Sequence, residues 1–197
     1  PTGAIVCPYE LTAGLAENAA ANGVDFRLNT TVTQVKRNAR GWTVCTDQGD
    51  LDGAVVVNAA GLYADIFNNQ VSSDIMRIIP RRGEYWMIDK SFAGAFRSTI
   101  FQLPGKMGKG VLVSPTVDGT IIVGPTAEDI DDCDDRTTTR AGQEHVYQAA
   151  SRIWPGLPRK ALITTFAGNR AHLARHDFVV GEAPGAPGFF NAAGIES

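Results

Sequence analysis

Cysteine is scarce in this chain. There are three in 197 residues, Cys7, Cys45 and Cys133, far apart and without a C-x-x-C pair. That gives no disulfide framework and no metal-binding pattern, and it fits a reducing compartment, here the cytoplasm. Each thiol reads as a small core or surface residue. Basic stretches are missing too, and a net charge of −3 argues against a nucleic-acid partner. No apolar run approaches the length of a membrane helix, and no signal peptide is visible, so no transmembrane segment is expected. Peripheral membrane contact stays open. There is no solenoid-period repeat and no low-complexity tract. The chain opens on Pro1-Thr2-Gly3 without Met and stops at Gly194-Ile195-Glu196-Ser197 just after a strand. It is expected to be a piece of a longer protein.

What is present begins with an echo. Val55-Val56-Val57-Asn58-Ala59-Ala60-Gly61 and Gly188-Phe189-Phe190-Asn191-Ala192-Ala193-Gly194 are both apolar runs that stop at Asn-Ala-Ala-Gly. Such runs read as buried strands. The small residues after them let a backbone, or a flat or phosphorylated ligand, come close. Two such exits suggest a cofactor cradle at the edge of an α/β sheet, and two ordinary strands with tight turns are the alternative.

Along the chain, Pro8 opens a helical pattern with Leu11, Leu15 and Ala19 on one face, stopped at Asn22-Gly23. Val24 to Leu28 alternates as a strand. Thr31 to Val35 alternates again, with Val32 and Val35 inward. Arg40-Gly41 turns into the return strand Trp42 to Thr46. From about Pro80 the texture changes to closely spaced strands at Tyr85–Ile88, Gly110–Val113 and Thr120–Val123. Asp118-Gly119 between the last two is a tight hairpin turn. Thr139 to Ile153 reads as an amphipathic helix ended by Pro155-Gly156. Leu162–Phe166, Phe178–Val180 and Phe189-Phe190 are the last strands. The acidic run Glu128 to Asp135 reads as a solvated loop, with a metal site as its alternative. No metal is expected in the site.

Taken in order, these pieces resemble the FAD-dependent oxidoreductases of the D-amino-acid oxidase superfamily, most closely its glycerol-3-phosphate dehydrogenase and L-2-hydroxyglutarate oxidase branch. The segments that carry the resemblance are Pro8-Tyr9-Glu10-Leu11, Asn29-Thr30-Thr31-Val32, Val56 to Leu62, and Pro80-Arg81-Arg82-Gly83-Glu84-Tyr85. They continue with Gly108-Lys109-Gly110-Val111, Ser114 to Gly119, Gly124-Pro125-Thr126-Ala127, Phe166-Ala167-Gly168-Asn169-Arg170 and Gly194-Ile195-Glu196-Ser197. The resemblance covers essentially the whole chain. It implies a mixed fold, α+β or α/β. Residues 1–79 and 164–197 would be a partial, Rossmann-like FAD-binding domain, and residues 80–163 an antiparallel β-sheet substrate domain. The family's G-x-G-x-x-G loop, which holds the pyrophosphate at a helix N-terminus, is absent from these residues. The piece by itself is therefore expected to bind FAD poorly or not at all and to be inactive.

The resemblance also implies site residues. Val32 would reach the adenosine end of FAD through its backbone, or be a plain strand residue. Ala59, Ala60 and Gly61 match a second FAD-contacting turn. Gly194, Ile195 and Glu196 match the strand exit that faces the pyrimidine end of the flavin. Arg170 matches an arginine that pairs with the substrate's anionic group, a task suited to a planar, always-charged guanidinium. Its alternative is a surface or ion-paired arginine. Arg82 and Tyr85 enter the sheet that roofs the flavin, and Thr126 sits on a strand end that faces the cavity. For Tyr85 a half-buried sheet tyrosine, and for Thr126 a plain strand residue, is the alternative. His172 is the candidate base for the hydroxyl proton, with His176 as its neighbour. Exposed loop histidines are the alternative.

The expected activity is hydride transfer to FAD from a small anionic 2-hydroxy compound, glycerol 3-phosphate or a 2-hydroxy acid. Two rivals stand beside it: an amine oxidase for a glycine- or sarcosine-like substrate, and an inactive folded interaction fragment.

Overall fold

The computed structural model describes residues 3–103 and 110–196. Pro1, Thr2, Ser197 and the Gly108-Lys109 portion of the quoted motifs lie outside the described residues. In chain order the elements are α1 (Pro8–Ala21), β1 (Val32–Asn38), β2 (Gly41–Thr46), β3 (Leu51–Gly53), β4 (Val56–Asn58), α2 (Ala64–Val71) and β5 (Ile78–Ile88). There follow β6 (Ile100–Phe101), β7 (Leu112–Pro115), β8 (Ile121–Gly124), β9 (Glu128–Asp129), α3 (Arg140–Ala150), β10 (Leu162–Leu173), β11 (Val179–Glu182) and β12 (Phe189–Ala193). The fold is mixed α/β, with mostly antiparallel pairing. The chain divides into two compact units, one of Pro1–Phe26, Arg82–Glu128 and Arg136–Gly168, the other of Arg27–Arg81, Asp129–Asp135 and Asn169–Ser197.

In the first unit, β5, β8, β7 and β6 lie side by side as antiparallel neighbours, with β10 on the other side of β5. One face of this sheet is an apolar core. Trp86, Ile88, Val113, Ile121 and Val123 are buried there against Val146 and Ala150 of α3 and against Leu157. Each such side chain contributes about 1.5–3 kcal/mol by leaving water. The residues between them in sequence point to the opposite face, as the period of two requires. The Asp118-Gly119 turn forms as expected, with Gly119 at φ 86° and the Thr116 N–H donating to the Thr120 carbonyl.

Helix α3 starts where a buried carboxylate waits for it. Thr139 caps the helix by accepting from the Gly142 N–H at 2.9 Å. Glu84 of β5, with no exposed surface at all, accepts from the Thr139 N–H at 2.9 Å, the Thr139 hydroxyl at 2.8 Å and the Gln143 amide at 2.7 Å. A buried carboxylate is tolerable only when hydrogen-bonded in this way, and the positive end of the helix dipole adds to it. Gly142 is required because a Cβ there would overlap the Glu84 carboxylate.

In the second unit, β1, β2 and β3 form an antiparallel sheet, and β11, β12 and β4 form another. Val35, Trp42, Ala183, Ala186 and Phe189 make one core cluster there, with Trp42 and Phe189 ring to ring at 5.6 Å. Ala64, Met76, Ile78, Ala171, Leu173 and Ala193 make another.

Some expectations from sequence are corrected. Val24 to Leu28 is not a strand; the chain runs irregularly there until β1. The α1 face of Leu11 and Leu15 is exposed rather than packed, and no residue of α1 is buried. Val32 and Val35 are three apart yet both pack on the same cluster, Val35 within it and Val32 against it. A register irregularity between Val32 and Gln34 makes this possible, because a bulge shifts the alternation by one residue. Helix α2 and strand β3 had no expectation at all.

Gly142→Ala should lower stability by about 1–3 kcal/mol, the usual penalty for overpacking. Gly156→Ala, where nothing lies within 4 Å of the added Cβ, should change it by less than about 0.5 kcal/mol. Urea unfolding followed by tryptophan fluorescence separates the two.

Candidate functional site

The echoed segments are neighbours. Strands β4 and β12 pair in parallel, with Phe189 opposite Val56, Phe190 opposite Val57 and Asn191 opposite Asn58. The repeated asparagines are thus register partners, and both are buried. Their amides form a chain: Asn58 Nδ2 donates to Asn191 Oδ1 at 2.9 Å and to the Ala64 carbonyl at 2.8 Å. Asn191 Nδ2 donates to Asn68 Oδ1 at 2.8 Å, and Asn68 Nδ2 donates to the Asp74 carbonyl at 2.8 Å. The network ties both strand ends to α2, and buried amides satisfied in this way fix one geometry.

Each strand then exits through its small residues at the same end of the parallel pair. That end, the carboxyl end of parallel strands, is where open α/β sheets take ligands. After β4, Ala59 and Gly61 are exposed and Ala60 is half-buried. Gly61 has φ 56°, and nothing lies within 4 Å of the position a Cβ would take, so this turn leaves room for a close approach. After β12, Gly194 has φ 72°, and a Cβ there would sit 3.0 Å from the Leu173 Cβ. Its lack of a side chain therefore serves packing as well. Ile195 is 57% exposed, and Glu196 is half-buried. Val32 opens β1, half-buried and paired with Thr46.

His172 is not an exposed loop residue. It lies within β10 and is only 3% exposed. Its Nδ1 is 2.6 Å from Glu196 Oε1 and 3.3 Å from Arg81 Nη1. A carboxylate only accepts, so Nδ1 carries a proton, and in the neutral ring the lone pair then falls on Nε2. The His172 and His176 rings lie 4.9 Å apart. Arg81 is held by Asp129 through two bonds, at 2.6 and 3.1 Å. This pairing pulls the Asp129 carboxyl below its ordinary range and raises the Arg81 guanidinium. Arg170 is half-buried in the same strand as His172, and its Nε lies 3.5 Å from the Arg81 carbonyl, long for a hydrogen bond. Its charge also reaches Asp129.

In the first unit, Arg82 is buried, with Nη2 donating to Glu128 at 2.8 Å and Nη1 to the Thr137 hydroxyl at 3.3 Å. The Thr126 hydroxyl accepts from the Glu84 N–H at 3.0 Å. Both side chains bond within their own unit, around β5. Tyr85 is half-buried and stacks on Phe166, with centroids 5.1 Å apart and planes 7° from parallel. An open hollow of about 410 Å³ beside Asp89, Phe92 and Lys160 contains none of the candidate residues.

The Cys133 thiol is pushed up by burial first and by Asp65 next, which leaves it a poor nucleophile. Among the described residues no group of His, Cys, Asp and Glu is arranged to hold a metal ion, and no helix is long and apolar enough to cross a membrane. Sequence reasoning missed the Arg81–Asp129 pair and the Glu196–His172 contact. Only the shared run of charged residues near 81 and 129 hinted at the first. Nothing local signals a bond between residues 172 and 196.

A family model described as FAD dependent oxidoreductase, DAO, matches residues 1–197. The chain is 46% identical over 196 residues to a glycerol 3-phosphate dehydrogenase of Caloramator mitchellensis, covering 100% of this chain and 41% of that protein. It is 29% identical over 164 residues to the mitochondrial L-2-hydroxyglutarate dehydrogenase of Arabidopsis thaliana, covering 73% of this chain and 34% of that protein. Among solved structures it resembles dithionite-reduced L-alpha-glycerophosphate oxidase from Mycoplasma pneumoniae with FAD bound. The TM-score is 0.83 at 31% identity, over 93% of this chain and 49% of that one. The chain thus spans less than half the length of these relatives.

Asn191→Leu should destabilise the protein by about 2–4 kcal/mol, because it strands an Asn58 donor and the Asn68 acceptor in the interior. Thermal or urea melts check this. The Asp129 carboxyl should titrate below the ordinary value of about 3.9 and return toward it in Arg81→Met, read by NMR. A depressed folded-state value means that the pair's stabilisation is present above the ordinary carboxylate range. It is lost as pH falls through the folded value.

Proposed function

The chain belongs to the FAD-dependent oxidoreductase family, and we propose that the protein of which it is part oxidises glycerol 3-phosphate. The observation that carries this is the identity to a glycerol 3-phosphate dehydrogenase along the full length of the chain, well above that to the L-2-hydroxyglutarate relative. A 2-hydroxy acid is the second reading within the same class. FAD, when bound, supplies the hydride acceptor. The two strand exits fit it: Ala59, Ala60 and Gly61 on one, Gly194, Ile195 and Glu196 on the other, with Val32 contributing from β1. The support is the open positive-φ turn at Gly61 and the shared end of the β4–β12 pair.

Residues 1–79 and 164–197 then serve the cofactor, and residues 80–163 serve the substrate. Arg170 pairs with the substrate's phosphate or carboxylate. Tyr85, braced flat on Phe166, offers an aromatic wall with a hydroxyl on its edge. Arg82 and Thr126 belong to the substrate part, and the bonds each makes there set the shape of the strand that carries Tyr85. His172 takes the substrate's hydroxyl proton at Nε2, the ring nitrogen left with a lone pair. The three thiols are free, which supports a reducing, cytoplasmic setting.

The full-length protein should take up FAD and reduce a dye with glycerol 3-phosphate faster than with 2-hydroxyglutarate, glycine or sarcosine. Faster turnover of an amine would replace this reading with amine oxidation. Arg170→Lys should raise the KM for the anionic substrate at least about tenfold, because an ammonium lacks the bidentate fork, while FAD content stays near normal. Unchanged kinetics would make Arg170 a structural residue.

A further inference from the structure

The three-residue turn after β12 is gripped at both ends by consecutive residues of one strand. Leu173 of β10 presses on Gly194, where a Cβ would lie 3.0 Å from the Leu173 Cβ and 3.2 Å from the Asp177 carbonyl. His172, the residue before it, holds Glu196 at 2.6 Å. Between these holds sits Ile195, an apolar side chain left more than half exposed. Burial does not explain why such a turn is fixed, since its central residue faces away from the core.

We propose that the His172–Glu196 pair is a clamp that holds the Gly194–Glu196 turn in its FAD-binding shape before FAD arrives. This rests on the reading that the turn borders FAD. Both residues act through the turn and are positioning residues in this role. Nδ1 of His172 has one hydrogen, and the short contact to the carboxylate takes it. Arg81 lies 3.3 Å from the same nitrogen, so it cannot also donate there once that hydrogen is placed. Arg81 donates to Asp129 through its two bonds, and although the Glu196 charge also acts on its guanidinium, the 2.6 Å hydrogen bond of Glu196 is to the histidine. Without the clamp, the turn would have to be ordered when the cofactor binds. Ordering a few residues on binding is a cost that preorganisation removes.

The test is titration of FAD into apo full-length protein, with the melting temperature of each variant measured alongside. Glu196→Ala should raise the Kd for FAD roughly tenfold. Glu196→Gln, whose amide oxygen still accepts from Nδ1–H, should stay within about twofold. Adding Glu196→Ala to His172→Leu should weaken FAD no further than His172→Leu alone, as one shared interaction requires. Should His172→Leu fail to fold, the two Glu196 variants decide. A lowered melting temperature with an unchanged Kd in Glu196→Ala would make the contact merely structural and overturn the proposal. Equal weakening by Gln and Ala would assign the effect to charge and overturn it too. If the unsubstituted protein takes up no FAD, both the clamp and the FAD reading fall. If it takes up FAD and the variants match it, the clamp alone falls.

Discussion

A buried chain of three asparagines sets the geometry on which the rest of the second unit depends. Asn58 and Asn191 end adjacent parallel strands, and Asn68 of α2 closes the line. Polar groups with no access to water are stable only when their partners are fixed. Shifting β4 against β12 by one residue would break the Asn58–Asn191 bond and turn every side chain over. The network therefore locks register, and register decides that the two small-residue turns leave from one end. The placement of both turns thus follows from hydrogen bonds made beneath them.

The first unit is held by a related device of different composition. Glu84 lies buried in the sheet, and the start of α3 answers it with a backbone N–H, a hydroxyl and an amide. Gly142 leaves the space the carboxylate needs. The helix can then lay Val146 and Ala150 on Val123 and Ile121. One face of the sheet is covered by this arrangement, and Tyr85 with Phe166 is left to form a flat aromatic pair elsewhere on the unit. In both units a satisfied polar group in the interior determines where the apolar layers meet and which side chains remain available.

Much of this was legible in the sequence, and for definite reasons. The echo of Asn-Ala-Ala-Gly announced two related strand ends, because an abrupt change from β-branched or aromatic residues to small ones has few other causes. Asp118-Gly119 and Asn22-Gly23 marked their turns because positive φ is expensive for other residues. What stayed hidden was non-local. Helix α2 is only eight residues long and half polar, and the bonds of Asn58 and Asn68 to Asn191 reach a residue distant in sequence. The bulge after Val32 defeats strict alternation. His172 reads as a loop residue beside Arg170, yet it lies buried in β10, and its partner Glu196 is 24 residues further on. The resemblance to the oxidoreductase family supplied roles for residues. The coordinates added which of those residues hold one another.

The central claim is that the paired exits of β4 and β12 form one cofactor-binding rim, set in place by the asparagine chain. A crystal structure of the full-length protein with FAD tests it most directly. FAD should lie in van der Waals contact with both the Ala59–Gly61 turn and the Gly194–Glu196 turn, with the Asn58–Asn191 bond intact beneath them. FAD bound away from either turn would contradict it.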